Sequence, residues 1–314
     1  MTDAARPFDR PLGGPPASPG ARARARFFSN PAATLGLALL LLLATGALAA
    51  GWIAAAFDLD PETVDFASRY AAPSAVHPLG ADELGRDVLA RLLLGGRVSL
   101  AVGIAAAIAA AAIGAAIGLL AGFRGGTVDA ILMRVTDAML ALPVLPLLIV
   151  LAAIDPAKLG FEGASGPVAS VVRIVVIVAL VGWPGAARLT RAAALAARAE
   201  DYVRAARAIG VHPARIAVRH VAPAAAGPLI VAATLAMGHV ILFESTLSFL
   251  GLGVEPPLAS WGAMLANAQE TVWEQPMLAV WPGLAIFLTV VAVNFVGDGL
   301  REAVNPRLGA AARK

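Results

Sequence analysis

The side chains that could do chemistry are few in this sequence, and their spacing excludes more than it allows. The histidines are His77, His212, His220 and His239, and there is no cysteine. No His-Glu-x-x-His run and no clustered ligand spacing occurs, which argues against a metal-catalytic centre. The missing thiols remove disulfide frameworks and cysteine nucleophiles together. No Gly-x4-Gly-Lys-Ser/Thr phosphate loop is present either, so ATP chemistry would have to come from another chain. One carboxylate, Glu244, lies deep in an apolar stretch, with His239 five residues before it. An intramembrane ionisable group points to function, here gating or the solute path. The alternative is a structural hydrogen bond on a buried helix face. Five residues correspond to about 140° around a helix, so the two are not a facing dyad, and His239 also reads as a satisfied core histidine.

What must position these residues is a membrane. Of 314 residues, 59% are hydrophobic and 14% charged, with 24 Lys+Arg against 21 Asp+Glu. Soluble domains carry roughly 25% charge, and a net charge of +3 is a poor match to nucleic acid. A bilayer core needs ~20 apolar residues per helix. Charge-poor stretches predict an all-α integral membrane protein with spans at 31–57, 98–123, 137–154, 168–187, 223–250 and 278–299. The first is too long for a signal-peptide core. Most cations fall on one side if both termini are cytoplasmic. Residues 1–30 then read as a disordered basic tail, 58–97 as an extracytoplasmic loop, and 309–314 as a C-terminal tail. From Asp82 the loop shows Val88, Leu89, Leu92 and Leu93 at helical spacing, which predicts an amphipathic interfacial helix. Gly114, Gly118 and Gly122 share one face of the second span, a packing surface either within the chain or toward a second subunit.

The inside segment 188–222 is far longer than the ~2 to 8 residues a plain connection needs. It is Ala/Arg-rich in a helical pattern. Gly210 suits the left-handed position after a last turn and Pro213 the first turn of the next helix, which predicts a helix-turn-helix hairpin. By composition alone it could equally be an arginine-rich loop obeying the topology rule.

The order of residues carries a resemblance. Arg204-Ala205-Ala206, then Gly210, then Pro223 thirteen residues later resembles the Glu-Ala-Ala...Gly...Leu-Pro signature of ABC importer permeases. Arg204 replaces the usual glutamate, His220 an isoleucine and Ala222 a leucine, so a salt bridge through that glutamate is not available. His77-Pro-Leu-Gly-Ala-Asp-Glu-Leu-Gly-Arg-Asp87, Asp201-Tyr-Val-Arg-Ala-Ala-Arg-Ala-Ile-Gly210, Leu247-Ser-Phe-Leu-Gly-Leu-Gly253 and Gly297-Asp-Gly-Leu-Arg301 look like the C-type permease of dipeptide, oligopeptide and nickel importers. The likeness runs in order from about residue 25 to 308.

That resemblance implies a type I ABC importer permease in the cell membrane, forming half of a translocation pore with a homologous B-type permease. It implies two ATPase subunits carrying ATP and Mg, and an extracytoplasmic solute-binding protein. It further implies that Asp201, Tyr202, Arg204, Ala205, Ala206, Arg207, Gly210, Pro213 and Pro223 form the ATPase-coupling segment. No cofactor is expected on this chain, and the solute is expected to be a di- or oligopeptide, with nickel or another small solute as the alternative. A self-sufficient secondary transporter would call for inverted repeats or paired membrane carboxylates, and Glu244 stands alone. An intramembrane enzyme lacks a nucleophile and base.

Overall fold

A computed structural model describes residues 18–154 and 166–304, with 158 and 160 between them. Among these the regular elements are helices, with one isolated β-bridge, Ala81 to Asp87. The helices are α1 (Pro19–Ser29), α2 (Pro31–Ala56), α3 (Val88–Arg124), α4 (Gly126–Ala141), α5 (Val144–Ala152), α6 (Pro167–Gly182), α7 (Pro184–Arg198), α8 (Asp201–Ala208), α9 (Pro213–Ile216), α10 (Ala222–Phe249), α11 (Trp261–Ala268) and α12 (Met277–Val304). Four runs are long and apolar enough to cross a bilayer, and six if each of two bent pairs is one span. The bends follow prolines, which cannot donate to the helical ladder. Pro143 separates α4 from α5 at 89°, and Pro184 separates α6 from α7 at 47°.

Helix α3 is the axis of the bundle, packed by α2, α4, α6, α7, α10 and α11. Its glycine face is answered within the chain. A Cβ at Gly114 would lie 2.6 Å from the Trp183 carbonyl, one at Gly118 would overlap the Ala187 carbonyl, and one at Gly122 would lie 2.8 Å from the Ala194 Cβ. Helix α7 therefore seats against a groove that only glycines leave open. Large side chains such as Leu42, Leu48 and Phe287 remain exposed, as expected of a surface solvated by lipid rather than water.

Three sequence expectations change. Residues 82–87 form a tight turn instead of an interfacial helix, and α3 starts at Val88, ten residues before the expected span. Asp87 caps it, its Oδ1 accepting the Ala90 N–H at 2.8 Å. Arg91 stays in this helix because it is buried beside Asp82, 3.4 Å away, and Arg97 because it donates to the Ala47 and Leu48 carbonyls at 2.6 and 2.7 Å. Second, residues 19–29 of the expected tail are helical. Phe27 is buried against α12, where a side chain at Gly299 would strike its ring. Residues 1–17 and 305–314 lie outside the described residues. Third, α7 begins at Pro184 and lies on the α3 glycines as far as Ala194, so only the later part of 188–222 forms a projecting feature.

Candidate functional site

The projecting feature is a short hairpin at the end of the bundle opposite residues 58–87. Asp201, the first residue of α8, pairs with Arg204 one turn on. The two side chains are exposed, so the pair adds little stability. Val203 and Ala206 face inward and join Ile216, Val221, Ala194 and Ala197 over Leu119 and Phe123. Burying Val203 and Ile216 contributes about 2 kcal/mol each, which ties the hairpin to the ends of α3 and α7. Arg207 stacks over the Phe123 ring at 5.5 Å, and the Arg198 guanidinium donates to the Gly122 carbonyl at 3.2 Å, satisfying a terminal acceptor of α3. Tyr202, Ala205 and Ile209 face outward; Ile209 is 80% exposed.

The turn has the geometry the residues require. Gly210 has φ +78°, a left-handed conformation that costs a side-chain-bearing residue roughly 1–2 kcal/mol. His212, which sequence reasoning gave no role, caps α9 by accepting the Ala214 N–H on Nδ1 at 3.3 Å. Pro213 occupies the first turn of α9. The chain then passes through a π-helical stretch, Ala217–Val221, into α10, with the Ala222 N–H donating to the Ala217 carbonyl. Pro223 explains the widening, because it supplies no N–H for the Arg219 carbonyl. From Pro213 to Phe249 the result is one continuous rod of 37 residues.

At the rod's far end lies Glu244, fully buried. Its Oε2 accepts from Ser99 at 3.1 Å and its Oε1 from Ser248 at 2.8 Å. Both serines are themselves oriented by backbone donors, the Trp261 N–H to Ser99 and the Val254 N–H to Ser248. The structural hydrogen bond foreseen as one reading of Glu244 is thus present. Ser99 and Trp261 are partners that sequence separation concealed. His239 does not share this environment. Its Nδ1 lies 3.3 Å from the Leu235 carbonyl of its own helix, and the side chain opens onto a groove of about 250 Å³ lined by Ala107, Ala111, Gly182, Ala186 and Ala236. It is not a core histidine in the isolated chain. Among the described residues no group of three His, Asp or Glu could hold a metal.

A further set of residues went unrecognised in the sequence. Asp129 on α4 accepts a bidentate pair from Arg191 on α7, at 2.5 and 2.6 Å, and Asp137 pairs with Arg188 at 2.5 Å.

The sequence that folds this way has relatives among known proteins. Residues 114–310 match the family described as binding-protein-dependent transport system inner membrane component, and residues 18–73 match the N-terminal TM domain of oligopeptide transport permease C. The chain belongs to this transport-permease family. It is similar to the nickel transport system permease protein NikC of Escherichia coli K12, 38% identical over 274 residues, covering 87% of this chain and 94% of that one. It is also similar to the glutathione transport system permease protein GsiD of Pectobacterium atrosepticum, 38% identical over 278 residues, covering 88% and 87%. This permease is a C-type subunit of an ABC importer of the peptide and nickel class, as the residue order implied.

Proposed function

We propose that the permease imports di- or oligopeptides as one half of a pore completed by a homologous B-type permease, and that α8 with its Gly210 turn docks on a separate ATPase. The observation that carries the coupling role is the hairpin itself. Its inner face is packed onto α3 and α7 while Tyr202, Arg204, Ala205 and Ile209 face outward. A rigid hairpin transmits a push, and the continuous rod from Pro213 to Phe249 extends from it toward the Glu244 network. Two ATPases would hold ATP and Mg and hydrolyse the nucleotide, since this chain has no phosphate loop. A solute-binding protein would dock at the end carrying residues 58–87 and 250–276. That end is extracytoplasmic in this reading, and the termini are cytoplasmic, because most arginines then lie inside.

Support for a peptide solute comes from the match to oligopeptide transport permease C and from the glutathione permease, glutathione being itself a peptide. The resemblance to a nickel permease favours a second reading, nickel import. Uptake by vesicles holding the full assembly separates them. Labelled dipeptide should accumulate with ATP inside and binding protein outside, and radioactive nickel should not. Nickel uptake that unlabelled dipeptide fails to compete would overturn the peptide assignment. The purified chain alone should hydrolyse no ATP.

A further inference from the structure

Helix α4 has sixteen residues, and Thr136 is its one buried side chain. Apolar packing within this chain therefore does little to fix it, although it meets α3 and α7. What crosses from α4 to α7 is charge. Asp129 accepts from Nε and Nη2 of Arg191, and Asp137, two turns further on, takes Arg188. The order is antiparallel, the earlier aspartate meeting the later arginine, so the pairs form two rungs between helices running in opposite directions. Arg191 is also anchored by its backbone. A Cβ at Gly118 would lie 2.9 Å from its N–H nitrogen, and one at Gly122 would lie 2.9 Å from its carbonyl oxygen. One residue is thus held against α3 by its main chain and grips α4 with its side chain. A bidentate arginine–carboxylate pair fixes orientation as well as distance; the Asp137–Arg188 pair, more than half exposed on both sides, adds register along the helices and little strength.

We propose that Asp129 and Asp137 are positioning residues that lock α4 to α7, so that α4 moves as one body with the segment carrying α8. Beyond α4 the chain turns through 89° at Pro143 into α5, whose Leu148 and Ala152 are buried against α6 and the main core. A displacement entering through α8 is then delivered by α7 and α4 to that bend. The inference rests on the coupling role proposed for α8, and adds a second line of transmission beside the rod from Pro213 to Phe249.

The test uses the complete assembly: this chain, the second permease and the ATPases, in lipid vesicles. The chain has no cysteine, so Val135→Cys on α4 and Ala199→Cys at the α7–α8 joint, both exposed, accept a pair of spin labels. Their separation is measured by double electron–electron resonance without nucleotide and with ATP plus vanadate. A shift below about 2 Å, the scale of helix adjustments within a packed unit, is expected. A larger shift in an assembly that hydrolyses ATP overturns the proposal, and needs no variant that could misfold. Asp129→Asn should broaden the distribution and lower the dipeptide moved per ATP hydrolysed by at least about tenfold, a coupling loss within the range for residues in direct contact. The exchange Asp129→Arg with Arg191→Asp should recover most of that ratio, which a purely structural role would not affect. An Asp129→Asn assembly with the wild-type ratio and distribution contradicts the lock. If no ATPase associates with the chain at all, the coupling role fails and the lock falls with it. If ATPases bind and the labels separate, only the lock fails.

Discussion

Ser99 on α3 donates its hydroxyl to Glu244 on α10 at 3.1 Å, while the same oxygen accepts the Trp261 N–H of α11 at 3.2 Å. One serine thereby joins three helices at a single buried carboxyl group. Ser248 repeats the arrangement toward the following loop, accepting the Val254 N–H at 3.3 Å. Removing the carboxyl leaves hydroxyls whose orientation is already fixed by those donors without an acceptor.

Glu244→Ala should therefore destabilise the permease by about 3 kcal/mol, from an emptied volume and unpaired buried hydroxyls. Glu244→Gln, which keeps the shape and one acceptor oxygen, should lose less than half of that. Thermal unfolding in detergent, read as loss of monodisperse protein, checks the order. Equal losses would mean that filled space and one oxygen contribute nothing, and that the whole effect lies in having both carboxyl oxygens accept.

The seat of α7 on α3 predicts a sharp contrast between two glycines. Gly118→Ala places a methyl group in collision with the Ala187 carbonyl and 2.8 Å from the Thr190 Cβ, where backbone cannot yield cheaply. A loss of about 1–3 kcal/mol is expected. At Gly182 the nearest atom to a new Cβ is the Ala110 Cβ at 3.5 Å, an ordinary contact, so Gly182→Ala should be neutral or slightly stabilising. The same unfolding assay compares them, and a tolerated Gly118→Ala would show that α7 sits less closely on α3.

Topology is testable because the chain is free of cysteine. A thiol at Glu255→Cys, in the loop after α10, should react with an impermeant maleimide added to intact cells. One at Ala199→Cys should react only after the membrane is opened. The reverse pattern would invert the orientation and place α8 away from any cytoplasmic ATPase.

Local features of this molecule were readable from its residues, and distant pairings were not. Gly210 and Pro213 announced a turn because left-handed backbone and a proline at a first helical turn are short-range constraints. The glycine face of α3 was equally visible at Gly114, Gly118 and Gly122, yet its partner lay outside what periodicity can say. The charges of Arg91 and Arg97 interrupt the apolar run, so the sequence reads a separate interfacial helix before a span starting at 98, where the structure has one helix from Val88. Both charges are absorbed by Asp82 and by two α2 carbonyls, partners reached only through folding. Asp129 and Arg191 are separated by 62 residues, and nothing in either neighbourhood distinguishes a clamp from two solvated charges. The proline breaks at Pro143 and Pro184 interrupt stretches that composition reads as uninterrupted spans.

The central claim is that α8 and its turn couple this permease to an ATPase, and one measurement addresses it most directly: retention of ATPase on affinity-purified permease, with solute uptake followed in the same vesicles. A Cβ at Gly210 meets nothing within 4 Å, so Gly210→Val acts through the positive φ alone, at a cost of about 1–2 kcal/mol, and leaves the membrane helices undisturbed. The variant should insert and pair with the second permease at wild-type levels, yet retain less ATPase and lose most ATP-driven uptake. Arg204→Glu, which changes an exposed side chain without bending the backbone, should be milder. Wild-type ATPase retention and uptake by Gly210→Val would contradict the account and reduce the hairpin to a basic loop.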